Sequence, residues 1–259
     1  MRLALTLIGL FCGVAVAADA PRKPVLVELF TSEGCSSCPP AEGMITAYTK
    51  SQPFEGVEII PLAWHVDYFN DPWVDPYSSK QYTARQREYV DRFGLQSCYT
   101  PQVVVDGSAE FIGGEKPSFA EAMANAAKTP KGVIDLGIEK SNDVKSISVK
   151  LAISKLPPIS AQDSAEVVLV VAENGLINPV KRGENSGIKL RHAAVVRWSR
   201  KLGQVDPKSL LFGGDSTIAI DPQWKRDQLT VVAFVQEVRS GRVLAVTSVA
   251  VPPAPAVTK

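Results

Sequence analysis

The sequence predicts an α/β domain, built on a central mixed sheet flanked by helices, followed by an all-β, sandwich-like domain. Strands and helices alternate in the first half, whereas the second half repeats short apolar strands with almost no helical periodicity. The run Thr129-Pro130-Lys131-Gly132 separates the two halves, and 259 residues are more than one small domain needs. We therefore expect domains over 24–129 and 132–252, with a disordered tail at 253–259.

In the first half the predicted order is strand, helix, strand, helix, strand, strand, helix. Apolar runs predict the first two strands, helical spacing that stops at Gly94 predicts the second helix, and Asp106-Gly107 predicts a hairpin turn. The predicted strands cover 25–30, 57–64, 102–105 and 109–112, and the predicted helices cover 41–51, 79–93 and 117–128. This is the order of a thioredoxin-like domain.

Alternating apolar residues predict at least five strands in the second half. These strands cover 133–139, 146–154, 166–172, 229–238 and 243–251, and turn residues separate neighbours at 141–143 and 239–241. Helical periodicity occurs only at 195–202. An antiparallel β-sandwich is the architecture that this pattern favours.

The first 17 residues have the pattern of a cleavable secretory signal peptide. Arg2 gives a basic start, residues 3–16 are apolar, and Ala15-Val16-Ala17 forms an Ala-x-Ala cleavage site. The apolar run is too short to span a bilayer well, and no later run is long enough. We expect cleavage after Ala17, loss of Cys12 with the signal, and a periplasmic or secreted protein without an integral membrane segment.

The charge balance of the chain argues against a nucleic-acid partner. The sequence contains 28 Lys and Arg against 27 Asp and Glu. Signal cleavage would remove Arg2 and no acidic residue, which leaves the two signs equal. A net charge of zero does not favour binding to nucleic acid or to an anionic membrane surface.

Cys35 and Cys38 lie where the first predicted strand turns into the first predicted helix. At a helix start, unpaired N–H groups and the positive end of the macrodipole stabilise an anion such as the Cys35 thiolate. Cys38 follows one turn later, where it is placed to attack a mixed disulfide at Cys35. The pattern favours a redox-active dithiol. Half of a zinc site and a static structural disulfide are the alternatives, and the sequence has no second Cys-x-x-Cys or His-x-His pair to complete a zinc site.

Thr100-Pro101 stands just before the third predicted strand. In the thioredoxin fold a cis proline at this point packs against the active-site cysteines, where the backbone of Thr100 would meet an incoming thiol-containing chain. A cis X-Pro bond is a minority state, which suggests a purpose where it occurs. An ordinary trans proline that opens an edge strand is the alternative.

His65 and Cys98 are the next candidates for the site. His65 ends the second strand, at the same sheet edge as Cys35, and could move a proton from Cys38, stabilise a thiolate or bind a metal. A loop histidine bonded to Asp67 is the alternative. Cys98 could resolve a mixed disulfide, or join Cys35, Cys38 and His65 in a copper or zinc site. A buried, inert thiol is its alternative.

Three further polar residues are weaker candidates. Glu28 lies inside the apolar first strand, where a buried carboxylate beneath the dithiol could relay protons, or where it could point to an exposed face. His192 and Arg197 in the second half look structural.

These residues together resemble a family of secreted bacterial thioredoxin-like proteins of unknown function, domain-of-unknown-function family 1223. The matching stretches are 27–41, 65–68, 83–86 and 99–107 in the first half, and 183–185, 190–192 and 195–197 in the second. The resemblance implies a thioredoxin-like fold and a periplasmic or secreted setting, but no activity. Cys98 stands where a residue such as valine is expected, which argues against a family-wide role for it.

From the sequence we predict a periplasmic or secreted thiol–disulfide oxidoreductase. Cys35 would attack, Cys38 would resolve, Thr100 and Pro101 would position the substrate sulfur, and His65 would assist proton transfer. The dithiol carries the electrons, so no organic cofactor is needed, and the partners would be protein thiols or disulfides, or a redox partner protein. A copper- or zinc-handling protein and a non-catalytic binding module with a structural disulfide are the alternatives.

Overall fold

The computed structural model describes residues 22–139 and 143–253. The predicted signal peptide, 1–17, and residues 254–259 of the predicted tail lie outside the described residues. None of the helices in the described ranges is long and apolar enough to cross a membrane.

Three α-helices and thirteen strands make up the described fold. The helices are α1 (Cys38–Ser51), α2 (Lys80–Phe93) and α3 (Lys116–Lys128), with a 3-10 helix at Arg226–Gln228. The strands are β1 (Lys23–Thr31), β2 (Val57–His65), β3 (Gln102–Val105), β4 (Ala109–Ile112), β5 (Val133–Ile138), β6 (Ser146–Ser154), β7 (Ala165–Glu173), β8 (Leu176–Pro179), β9 (Lys189–His192), β10 (Val195–Gln204), β11 (Phe212–Ala219), β12 (Leu229–Glu237) and β13 (Val243–Ala250).

One eight-stranded mixed sheet runs through both halves of the chain, in the order β13-β12-β7-β10-β2-β1-β3-β4. The strands β1 and β2 are parallel, which places Thr31 opposite His65 at their carboxyl ends. The second half joins this sheet where Val195 of β10 pairs with Ala63 of β2. The mixed sheet with its helices confirms the α/β class, while the division into domains at 129–132 stays a prediction.

Helices cover both faces of the first half of the sheet, because both sets of alternating β1 side chains are apolar apart from Glu28. Val25, Val27 and Leu29 pack in one cluster with residues of α1 and α3. Leu26 and Phe30 pack on the other face, in a cluster that holds α2 residues and also residues of β7 and β12. The second half therefore contributes to the core of the first.

A three-stranded sheet, β11-β6-β5, packs against the second half of the large sheet. Alternating residues of β6, such as Ile147 and Val149, share a buried cluster with Leu169 of β7 and Val231 of β12. Two facing sheets with a common apolar core form a sandwich-like arrangement, as the alternation predicts.

The segment 195–202, where the sequence shows helical periodicity, belongs to strand β10. The strand pairs with β7, and its register shifts between Val196 and Trp198 and again between Lys201 and Gly203. Each shift adds a residue to one strand, so the side chains lose strict alternation. The resulting spacing of apolar residues resembles that of a helix.

Candidate functional site

The Cys35–Cys38 disulfide occupies the turn between β1 and α1. The two cysteines are joined, with their Cα atoms 5.5 Å apart, and α1 begins at Cys38. Prolines follow in the first helical turn, where a missing N–H leaves no intrahelical bond unmade. Cys35 is 2 % exposed and Cys38 is 0 % exposed. The disulfide therefore lies just below the surface.

The peptide bond between Thr100 and Pro101 is cis, as the sequence predicts. Pro101 is buried, and its carbonyl oxygen accepts a hydrogen bond of 2.8 Å from the N–H of Gly113. A Cβ added at Gly113 would lie 2.8 Å from the Cβ atoms of both Ala41 and Pro101. Pro101 therefore lies beside the first turn of α1, close to the chain that carries the disulfide.

His65 lies fully buried at the end of β2. Its Nδ1 is 2.7 Å from Oδ2 of Asp75, and its Nε2 has no hydrogen-bond partner among the described residues. Asp67, the partner considered from the sequence, instead accepts a hydrogen bond from the hydroxyl of Thr83. Burial raises the pKa of Asp75, but the charge and hydrogen bond of His65 outweigh this effect and lower it.

The structure places His192 in the site, although the sequence suggested only a structural role. Its Nδ1 lies 2.6 Å from Oε2 of Glu42 and its Nε2 lies 3.0 Å from Oε1 of Glu33. Burial alone would lower the pKa of His192, but the hydrogen bonds and charges of Glu33 and Glu42 raise it to about 10. The ring of His192 also lies 5.0 Å from that of His65, centroid to centroid.

Glu42 and Glu33 connect His192 to the disulfide turn. Glu42 stands one turn after Cys38 on α1 and accepts a hydrogen bond of 2.6 Å from the hydroxyl of Thr31. Burial raises the pKa of Glu42, but hydrogen bonding to His192 outweighs burial and lowers it. Glu33 precedes Cys35 by two residues, and its carboxylate accepts hydrogen bonds from the indole of Trp73 and the amide of Asn178.

The segment between β8 and β9, residues 180–188, closes over the disulfide turn from the second half. The side-chain amide of the buried Asn185 donates to the carbonyl oxygens of Glu33, at 2.9 Å, and of Cys35, at 3.0 Å. The exposed carboxylate of Glu184 accepts a hydrogen bond of 3.0 Å from the N–H of Ser36. The disulfide is therefore held by residues about 150 positions away in sequence.

Cys98 interacts with Arg87 and Asp91 of α2. It is a free thiol, half-buried, and burial raises its pKa. Within the described residues, the group of side chains able to hold a metal consists of Glu42, His65 and His192. The set Cys35, Cys38, Cys98 and His65, considered from the sequence, is not brought together in such a group.

Glu28 and Arg197 form ion pairs away from the disulfide. Glu28 is fully buried and binds the guanidinium of Arg85 through two hydrogen bonds, with a further hydrogen bond from the hydroxyl of Tyr89. It therefore faces α2, neither beneath the dithiol nor on an exposed face. Arg197 lies 3.5 Å from the carboxylate of Glu173 and stacks 5.2 Å from the ring of Tyr77.

A cleft of about 420 Å³ opens beside the histidine and carboxylate cluster. Glu42 and His192 form part of its wall, Leu29 and Ile45 give it apolar surface, and the exposed Arg191 is also in its lining. The cleft provides a path from solvent to the buried pair.

Residues 26–236 match the family described as protein of unknown function (DUF1223). The chain belongs to the DUF1223 family. This confirms the family resemblance drawn from the sequence, and the matched range contains the disulfide, Glu42, His65 and His192. A search of curated proteins finds no match.

Two solved structures have the same overall fold as this DUF1223 chain. Protein AGR_C_4864 from Agrobacterium tumefaciens is 20% identical with a TM-score of 0.67, and the alignment covers 93% of this chain and 98% of that chain. HBP35 of Porphyromonas gingivalis is 14% identical with a TM-score of 0.67, and the alignment covers 93% of this chain and 80% of that chain. At these identities the likeness shows the fold alone.

Sequence reasoning missed three members of the candidate site, namely Glu33, Glu42 and His192. Glu33 and Glu42 flank the Cys-x-x-Cys turn, and His192 ends one of the stretches that carry the family resemblance. These residues therefore lie in or beside recognisable sequence motifs. Nothing in the sequence, however, indicated that the two halves of the chain meet at the disulfide turn.

Proposed function

We propose that the protein is a thiol–disulfide oxidoreductase with a thioredoxin-like active site at Cys35 and Cys38. The observation that carries this proposal is the placement of their disulfide at the start of α1, beside the cis Thr100–Pro101 bond. A helix start favours a thiolate, and a thiolate is the leaving group and nucleophile of disulfide exchange.

The proposed exchange moves two electrons through one mixed disulfide. A substrate thiolate attacks Sγ of Cys35, which forms the mixed disulfide and releases Cys38 as a thiolate. A second substrate thiolate then attacks the substrate sulfur of the mixed disulfide, which forms the substrate disulfide and releases the Cys35 thiolate. The substrate is oxidised and the protein is reduced. The reverse steps reduce a substrate disulfide.

Glu42 is better placed than His65 to exchange a proton with Cys38. The two residues are four positions apart on α1, and side chains at that spacing are neighbours on a helix. Glu42 also shares a hydrogen bond with His192, so a proton can be exchanged within the pair. His65, with Nδ1 committed to Asp75, then acts through its contact with His192.

We also propose that the protein works in the periplasm or outside the cell, on protein thiols or with a redox partner protein. The signal-like pattern at 1–17 and the disulfide support an oxidising compartment.

The test is the reduction potential of the Cys35–Cys38 pair in the chain from residue 18 onward. The protein carries Cys98→Ser, so that Cys35 and Cys38 are the only thiols that can react. A chelator excludes metal. We expect a reversible transition between about −120 and −270 mV in glutathione or dithiothreitol buffers, followed by thiol trapping. A Cys35→Ser variant, which has no dithiol to titrate, is the control.

A second candidate is a non-catalytic binding module with a structural disulfide. The near-complete burial of both cysteines and the cover formed by 180–188 favour it. A potential below about −300 mV would support the structural disulfide and overturn the oxidoreductase.

A further inference from the structure

We propose that Glu42, His65 and His192 form a binding site for a divalent transition-metal ion, independent of the cysteines. Each residue offers one ligand atom, and these atoms all lie within 4.8 Å of one another. All three side chains are buried. They come from α1, β2 and β9, so the folded sheet and hairpin bring them together.

The hydrogen bonds of His65 leave a ligand nitrogen free. Asp75 engages Nδ1, and Asp75 itself accepts hydrogen bonds from the N–H groups of Glu33 and Tyr77. The ring is therefore held in place while Nε2, in a residue that is 0 % exposed, has no partner among the described residues. A metal-bound histidine usually donates the N–H of its other ring nitrogen to a carboxylate, as Nδ1 of His65 does to Asp75. A buried nitrogen without a hydrogen-bond partner is unusual, and a metal ligand at Nε2 would satisfy it.

His192 is supported in the same way through its other nitrogen. Nε2 lies 3.0 Å from Glu33, whose carboxylate is fixed by Trp73 and Asn178. This leaves Nδ1 for the pairing with Glu42. A metal ion would take the place of the proton shared by Nδ1 of His192 and Oε2 of Glu42, because both ligands must be deprotonated to bind it.

The donor set indicates the class of metal. Two imidazoles and one carboxylate suit Zn²⁺ and related first-row ions, whereas they suit Mg²⁺, Ca²⁺ and Cu⁺ poorly. Three protein ligands leave a coordination position open. The cleft beside Glu42 and His192 provides the entry path.

The test is the binding of Zn²⁺, and of Co²⁺ as a spectroscopic probe, to the chelator-treated chain from residue 18 onward with its disulfide intact. We expect one ion per chain by calorimetry, and a Co²⁺ spectrum without thiolate charge-transfer bands. His65→Gln should weaken binding most. Asp75→Asn, which keeps all three ligands, should weaken it about 10- to 100-fold.

Matched controls distinguish this site from binding by exposed carboxylates and from binding by the cysteines. Asp71→Asn changes an exposed carboxylate in the same loop and should leave the dissociation constant unchanged. The double variant Cys35→Ser, Cys38→Ser should also bind normally, because no sulfur belongs to the site. Circular dichroism identifies variants that do not fold, in which case Asp75→Asn carries the test in place of His65→Gln.

Three results would overturn the metal site. They are an absence of Zn²⁺ binding by the folded unsubstituted protein, binding that survives both His65→Gln and Asp75→Asn, and binding that disappears with the cysteines. None of them bears on the reduction potential, which is measured without metal, so this inference and the proposed function can fail separately.

Discussion

His192 lies between two carboxylates, with its side chain almost fully buried beside the cleft. Its side chain is 1 % exposed, and Glu33 and Glu42 bind its two nitrogens. A buried imidazolium is costly unless it is paired, and this one is paired on both sides. The protonated form of His192 therefore belongs to the stable folded state.

This arrangement predicts that stability falls on the alkaline side of neutrality. The pKa of His192 is raised to about 10 in the folded protein, above its ordinary value of 6.5. The folded state therefore binds the proton more tightly, and the resulting stabilisation is complete below about pH 6.5 and lost as the pH rises toward 10. Urea unfolding of metal-free protein at several pH values should show the free energy of unfolding decreasing across that range. His192→Gln should lack this part of the slope, and equal slopes in both proteins would contradict the assignment.

The ion pair of Glu28 and Arg85 gives a second prediction at this scale. Glu28 is fully buried and the Arg85 side chain is 11% exposed, so Glu28→Gln leaves a largely desolvated guanidinium without its counter-charge. We expect a loss of about 3–5 kcal/mol in the free energy of unfolding. Glu88→Gln breaks the ion pair with Arg92, in which Glu88 is 42% exposed, and should cost less than about 1 kcal/mol. Similar losses for both variants would show that the burial of the first pair contributes nothing.

The β8–β9 hairpin and its connecting segment bring the second half of the chain to the disulfide. The two strands have four residues each and pair from Leu176 with His192 to Pro179 with Lys189. The connection positions Asn185 over the carbonyl oxygens of Glu33 and Cys35. This element therefore covers the disulfide turn from the second half of the chain.

Removing the Asn185 amide should expose the disulfide to attack. Asn185→Ala leaves two buried carbonyl groups without their donor, at a cost of about 1–3 kcal/mol. If that free energy appears as local opening, reduction by dithiothreitol should become about 5- to 150-fold faster. Ser186→Ala removes an exposed hydroxyl of the same segment and should leave the rate unchanged. Both rates are measured by stopping the reduction at intervals with a thiol-trapping reagent. An unchanged rate for Asn185→Ala would show that the segment does not limit access of dithiothreitol to the disulfide.

Sequence patterns predicted the elements that have strong local signals. The helix α2 begins after Ser79, whose hydroxyl accepts from the N–H of Gln81, and ends at Gly94, whose φ is 65°, as their residue types indicate. The regular alternation of β6 and the continuous apolar run of β12 predicted these two strands equally well. The strand β10 shows helical periodicity in the sequence instead, because its register shifts disturb the alternation.

The candidate site was predictable where its residues form a local motif or where their positions follow from the order of the elements. Cys35 and Cys38 form a local motif, and Pro101 follows from the order of elements. His192 lies on the short β8–β9 hairpin and meets Glu42 of α1 across 150 positions of sequence. Pairings of that kind depend on how the halves pack, and a single sequence gives no local pattern for them.

At the scale of the whole molecule, the two predicted domains share one sheet and one apolar cluster. Trp64 and Tyr89 of the first half are buried in the same cluster as Val170 and Phe234 of the second. The guanidinium of Arg85 also donates to the side-chain oxygen of Gln236. A first half released from the second would expose this apolar face to water, at a cost of roughly 25 cal/mol per Å².

We therefore expect the two halves to unfold together. Tryptophans report on both, with Trp64 and Trp73 in the first half and Trp198 and Trp224 in the second. Urea transitions followed by tryptophan fluorescence and by circular dichroism should coincide. Phe234→Ala should lower the free energy of unfolding by about 3–5 kcal/mol in both measurements, because it leaves a cavity against residues of the first half. A fragment covering 18–129 should lack a cooperative transition. If that fragment instead unfolds cooperatively with the stability of the intact chain, the boundary at 129–132 separates two independent domains, and the shared sheet is only a contact between them.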